Sequence, residues 1–182
     1  MDALELLLNR RSIARLSDPA PEGVALENII KAGLRAPDHG GLTPWRFVLA
    51  QGNGLNKLAT ILSEASTLAG REQNVIDKAQ KAPFRAPLVI TVIASVTPHE
   101  KVPAFEQYLS AGCAVQAMQM AAVAQGFQAF WRSGKWMFDE HVKQAFNVTG
   151  DDKIVGFLYV GTPGCTPMKA PERDLSKFIE FL

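Results

Sequence analysis

Between Glu106 and Arg132 the chain carries no charge, although charged residues make up 20% of the whole. From Gln107 to Gln125 the stretch lacks proline, is rich in Ala, Met and Gln, and places apolar residues on every face, so it predicts a central helix buried all round. A bilayer span needs about 20 apolar residues. Gln116, Gln119 and Gln125 interrupt this one, Ala and Gly outnumber Leu and Ile, and no aromatic or basic belt brackets it, which argues against a membrane. The small residues Ala111, Gly112, Ala114, Ala117, Ala121, Ala122 and Ala124 allow a second backbone or a flat ring to come close. The chain's own sheet, a subunit interface and a planar cofactor all satisfy that pattern. Gly126 stops the helix, and the aromatic run Phe127–Trp131 predicts a strand ending in Arg132, Ser133 and Gly134. A cation, a hydroxyl and a flexible glycine there can receive an anionic or polar ligand.

The rest of the pattern supplies the layers. Asp2 can cap a short helix carrying Leu4, Leu7 and Leu8. Pro19 and Pro21 introduce a second helix through Ile29, Ile30 and Leu34, stopped by Pro37. Pro44-Trp45 leads into a strand over residues 46–50, and Leu55, Leu58, Ile61 and Leu62 repeat at helical spacing within 53–68, with a further helix over 71–81. Leu88–Ala94 is β-branched without alternation, the mark of a central strand covered on both faces. A short helix over 139–146 and a buried strand over 153–160 follow. The tail turns apolar again at Phe178–Leu182, and such an end needs a groove on its own or on a partner subunit. About four strands among these helices make an α+β domain with a helix-covered sheet.

At 182 residues the chain is most simply one domain over 1–182, and a formal charge of +1 gives no global field to recruit nucleic acid. Two cysteines outside any metal or redox spacing, with no apolar leader, point to a reducing cytosol and ordinary thiols. The scattered His39, His99 and His141 lack partners at ligand spacing, so no metal site is expected. Neither a Gly-x-Gly-x-x-Gly turn nor a Walker sequence is present, which removes the support for a Rossmann site or a nucleotide triphosphatase.

Two polar stretches carry candidate chemistry. Arg10, Arg11 and Ser12, with Arg15 nearby, are forked cations beside a hydroxyl, suited to a phosphate; a solvated helix end complementing the dipole uses the same residues. The glycine-rich loop from Arg35 through His39 to Gly41 sits at a junction between elements, where ligands often bind and where solvated side chains are also common.

Four stretches taken in order resemble the flavin-dependent nitroreductase family nearly end to end: Arg10-Arg11-Ser12, Arg35-Ala-Pro-Asp-His39 with Pro44-Trp45, Ser110 to Gly126, and Lys153 to Pro163. The likeness is closest to the short, minimal branch. It implies a homodimer with a central mixed β-sheet flanked by helices and FMN at each of two sites between subunits. It further implies that Arg10, Arg11, Ser12, Trp131, Arg132 and Ser133 hold FMN from one subunit, and that Arg35 and His39 serve the neighbour's flavin. Ala121, Ala122, Val123, Ala124, Gln125 and Gly126 are assigned by the same likeness to NAD(P)H. The implied reaction is hydride transfer from NAD(P)H through FMN to nitroaromatics, quinones or related small acceptors, the cofactor carrying the chemistry. A non-catalytic flavin store and a flavin-free structural dimer are the rival readings. Departures from the family pattern lie at Ala14, where many members carry a cation here displaced to Arg15, and at Gly41-Leu-Thr43, which lacks two common amides.

Overall fold

The unalternating run Leu88–Ala94 forms strand β3, and all seven of its residues are buried. The computed structural model describes residues 2–166 and 168–182. Around β3 lie strands β1 (Leu16–Ser17), β2 (Arg46–Gln51), β4 (Gln128–Arg132) and β5 (Lys153–Pro163). The helices are α1 (Ala3–Asn9), α2 (Gly23–Gly33), α3 (Asn53–Leu68), α4 (Gln73–Lys81), α5 (Ala104–Ala124) and α6 (Glu140–Ala145).

The sheet runs β2-β3-β5-β4, and β1 pairs with the last residues of β5. Every pairing is antiparallel, which corrects the expected mixed sheet while leaving the α+β class intact. The connections explain this. The helical hairpin α3–α4 returns the chain to the end of the sheet it left, so β2 and β3 must oppose each other. Helix α5 instead crosses over, so β3 and β4 run parallel, but β5 inserts between them and opposes both.

Period-two alternation in β3 and β5 divides the core. Leu88, Ile90, Val92, Leu158 and Val160 face α2 and α5, packing on Ile29, Val115, Met118 and Ala122. Val89, Phe157 and Tyr159 face the other way, onto Leu55, Leu58 and Leu62 of α3 and Val142 of α6.

Helix α5 departs from its expected burial. Ala111, Ala114, Val115, Met118 and Ala122 are fully buried, but an uncharged stripe including Phe105 (67% exposed), Leu109 (54%), Cys113, Gln116 and Ala124 faces outward. One small sheet can cover only one side of a helix, and the outward side is left as an exposed apolar stripe. The glutamines that break the apolar pattern lie mostly on the covered side and act as clamps. Gln107, 1% exposed, donates to the carbonyls of Thr97 and Val102 and accepts from the Thr97 N–H, fixing the loop after β3. Gln125 accepts from Asn28 and donates to the carbonyl of Ala25, tying α5 to α2. None of the described helices is long and apolar enough to cross a membrane.

Both ends of the chain also leave apolar side chains uncovered. Asp2 caps α1 as expected, its carboxylate accepting from the Glu5 N–H, yet Leu4, Leu7 and Leu8 are exposed. Among the described residues after β5 the tail forms one short turn, Leu175–Lys177, and Leu175, Phe178, Ile179, Phe181 and Leu182 are left exposed.

Opposite a register shift in the β3–β5 pairing, Gly156 makes room for the Trp131 indole, which lies over it and donates to the Val155 carbonyl. A Cβ on Gly156 would collide with the indole and stand 2.9 Å from the carbonyl oxygen of Arg132.

Three substitutions test these contacts in denaturation experiments. Gln107→Leu should destabilise the chain by about 1–3 kcal/mol although it adds apolar surface, because three backbone groups lose their partner. Gly156→Ala should cost about 1–3 kcal/mol and alter the near-ultraviolet dichroism of Trp131. Gly54→Ala, whose new methyl meets ordinary contact at 3.6 Å, should be neutral or slightly stabilising.

Candidate functional site

Arg10 ends α1, its N–H bonded to the Leu6 carbonyl, and its guanidinium donates to Ser12 Oγ at 3.1 Å. From the other side Gln119 Nε2 reaches the same oxygen at 3.5 Å while donating to the Ala129 carbonyl at 3.0 Å. A hydroxyl that accepts from two donors keeps its own proton free to donate outward. The short segment between α1 and β1 is thereby held against α5 and β4. Arg10 and Arg11 are half-buried and share a cavity of about 160 Å³ with Val123 and Gln128, whose side-chain carbonyl is buried without a partner.

Arg132, at the end of β4, joins this segment by donating to the Ala14 carbonyl at 3.3 Å. Its guanidinium stacks over Phe130 and Tyr159, at 4.5 and 5.2 Å from the ring centroids. Burial, followed by the like charge of Arg85, holds its pKa below the ordinary arginine value. Burial likewise raises the phenol of Tyr159, against the opposing effect of Arg132 and Arg85. The Nε–H of Arg132 is buried with no acceptor. A half-buried cation with an idle donor and a second cation beside it is chemistry that suits an anion. Ser133 follows, exposed, and Gly134 at φ 134° takes a turn that L side chains rarely adopt. Trp131 points to the opposite face, toward Gly112 of α5.

Arg35 and His39 lie elsewhere. Arg35 is exposed just beyond α2, and His39 opens the turn His39–Gly41. Asp38 braces that turn by accepting from the N–H groups of Leu42 and Thr43, at 3.1 and 2.7 Å. The His39 ring sits 2.7 Å from a carboxylate oxygen of Glu106, in the first turn of α5. Gln119, which holds Ser12, is thirteen residues further along the same helix, a rise of roughly 20 Å. Within one chain the two groups of candidate residues therefore sit at opposite ends of α5 and do not converge.

The stretch Ala121–Gly126 is divided in its roles. Ala122 and Val123 are buried, and the Gln125 amide is spent on α2 and on the Ala121 carbonyl. Ala124 and Gly126 are the exposed positions, and Val123 reaches the wall of the Arg10–Arg11 cavity.

Sequence reasoning missed Gln119, Glu106, Tyr159 and Arg85. Their partners stand far away along the chain, 107 residues for the Gln119–Ser12 contact and 67 for His39–Glu106, so no local pattern announces them.

The chain matches the model of the nitroreductase family over residues 7–162. It is 55% identical over 163 residues, 90% of this chain and 89% of the relative, to the Escherichia coli (strain K12) protein named "Putative NAD(P)H nitroreductase YdjA". The fold is similar to that of a nitroreductase-like family protein from Bacillus cereus, with a TM-score of 0.84 at 21% identity over 100% of this chain and 96% of that one. It is also similar to a crystal structure of "a putative nitroreductase in complex with FMN" from Desulfovibrio desulfuricans, with a TM-score of 0.76 at 21% identity over 98% and 96% of the two chains. With the family model covering most of its length, the chain belongs to the nitroreductase family.

Proposed function

We propose that the chain is a cytosolic, homodimeric oxidoreductase that holds FMN and uses NAD(P)H to reduce nitroaromatics, quinones or related small acceptors. The observation that carries this reading is Arg132, whose idle Nε–H and half-buried charge lie against the segment that offers Arg10, Arg11 and the free proton of Ser12. Those donors fit a terminal phosphate monoester, which brings about −1.5 to −2 charges and three acceptor oxygens. No adenine-binding turn accompanies them, so FMN fits better than a dinucleotide flavin. The similar Desulfovibrio structure is a complex with FMN, which supports the choice. When bound, FMN supplies the redox chemistry, passing two electrons from NAD(P)H to a quinone or nitro group that also takes up protons, the nitro group losing water.

The protein's own part is to bind, orient and charge the site. Trp131 and Ser133 border the flavin from the same subunit, Arg132 anchors the phosphate, and the α5 end at Ala121–Gly126 is assigned to the nicotinamide. Arg35 and His39 of the partner subunit complete the site. A two-fold axis that packs the outward stripe of α5 against its copy in the antiparallel sense brings the His39 end of one helix to the Ser12 end of the other. The uncovered leucines of α1 and the apolar tail supply further surface for the same partner. The cytosolic assignment rests on cysteine usage; Cys113 and Cys165 are both free thiols.

The purified protein should be yellow, release FMN on denaturation and oxidise NAD(P)H when an acceptor is added. A yellow protein without turnover would indicate a flavin store, and a colourless one a structural dimer. Arg10→Ala should weaken FMN binding by roughly 1.5–3 kcal/mol, the worth of a charge-assisted contact. An equal loss of melting temperature in flavin-free and flavin-saturated protein would instead make Arg10 structural. Leu109→Glu, which puts a charge in the middle of the outward stripe, should shift the sedimentation coefficient to that of a monomer. Arg10→Ala and Arg35→Ala homodimers should each be inactive, and random exchange between them should restore roughly a quarter of all sites, because each mixed dimer gathers both changes into one site. Verified mixed dimers that stay inactive would remove Arg35 from the partner's site.

A further inference from the structure

The His39 ring stands with Nδ1 2.7 Å from Oε2 of Glu106, in the first turn of α5. The two side chains are 58% and 43% exposed, and a pair so open to water contributes little to stability. Both partners are nevertheless held in place by other means. Asp38 accepts from the N–H groups of Leu42 and Thr43 across the His39–Gly41 turn. Gly40, at φ 79°, stands against Val102, whose carbonyl accepts from the buried amide of Gln107. Glu106 is carried by α5 itself. The backbone therefore places the ring, and what the carboxylate adds is control over the ring's proton.

A carboxylate only accepts hydrogen bonds, and the first turn of a helix favours its charged form. Nδ1 must then be the donor in the contact with Glu106, whatever the charge of the ring. The neutral ring is held as the Nδ1–H tautomer, the reverse of the ordinary preference of a histidine side chain, because the bond made by one ring nitrogen fixes the proton of the other. Nε2 is left with a bare lone pair, and among the described residues the ring makes no second hydrogen bond. Such a nitrogen takes a hydrogen bond from a hydroxyl or an N–H group. It offers nothing to a phosphate dianion, which accepts only. Arg10, Arg11 and Arg132 are the groups suited to the phosphate, so His39 suits the hydrogen-bond donors of a flavin, its ribityl hydroxyls and its ring N–H.

Building on the FMN-dependent reading above, we propose that Glu106 is a positioning residue that keeps His39 in its Nδ1–H tautomer, so that Nε2 accepts a hydrogen bond from a hydroxyl or ring N–H of the flavin held by the partner subunit. Glu106 does not touch the flavin; it acts through the proton that it keeps on Nδ1. Two side chains 67 residues apart thus work as a single acceptor.

The test uses the purified full chain, with its visible spectrum recorded first. Nitrogen NMR of the imidazoles distinguishes the tautomers directly. The chain has 3 histidines, and the His39 signals are those missing from His39→Ala. A pH series reads the neutral ring wherever it is populated, and the expected wild-type form is Nδ1–H. Glu106→Gln keeps the size of the side chain and the contact, but its amide can donate as well as accept, so a purely structural role survives the change and tautomer control does not. In this variant the Nδ1–H fraction should fall, and the FMN dissociation constant, read from the fluorescence of flavin released on dilution, should rise roughly tenfold. In a His39→Ala background the same substitution should change that constant by less than about twofold, because Glu106 acts only through the ring. A yellow wild type whose neutral His39 is the Nε2–H tautomer, or whose ring carries both protons while flavin is bound, overturns the proposal and leaves the oxidoreductase reading standing. So does an equal FMN dissociation constant in wild type and Glu106→Gln, or a full effect that persists without His39. A colourless wild type that oxidises no NAD(P)H overturns the oxidoreductase reading, and this proposal with it.

Discussion

Burying an uncharged helix is possible only if its polar side chains find partners, and in this chain that requirement organises everything around α5. Each buried amide left unbonded would cost about 1–3 kcal/mol. Gln107 meets the condition with the loop after β3, Gln119 with Ser12 and the Ala129 carbonyl, and Gln125 with α2. A helix with leucine at these three positions would be more apolar and would hold less. The loop, the segment after α1 and the second helix all take their places from hydrogen bonds that the covered side of α5 must make.

The same helix separates the candidate site into halves. At its first turn Glu106 holds His39, and more than three turns later Gln119 holds Ser12. Its outward stripe has neither charge to solvate it nor a protein surface to cover it. In the proposed dimer a two-fold partner would cover that stripe and bring the two groups of residues together. Arg132 belongs to the same logic from the sheet side, since the stacking on Phe130 and Tyr159 that positions its charge also strips it of water.

Much of the architecture was legible because it rests on local spacing. Asn53–Leu68 follows from leucines at helical intervals, and Leu88–Ala94 from a β-branched run without alternation. Strand β1 is only Leu16–Ser17, too short for any period to register, and it exists because the end of β5 offers it a partner 145 residues away. Strand direction was not legible either, since it depends on whether helices return the chain or cross it over, which residue pattern does not encode. The arginines and the serine of the site stood out by type, but the groups that aim them did not. Gln119 reads along the chain as an interruption of an apolar helix, and only its contacts give it a task.

That double attachment limits how the protein can change over evolutionary time. Gln119 is part of the packing between α5 and β4, and through Ser12 it is part of the proposed ligand-binding surface. Drift at this one position is filtered by two selective pressures at once, and a lineage cannot trade fold stability against ligand affinity there as it can where the two tasks fall to different residues. Sequence variation within such a protein should therefore collect at positions like Ala14 and Arg15, where a charge can move by one residue while the backbone that presents it stays held.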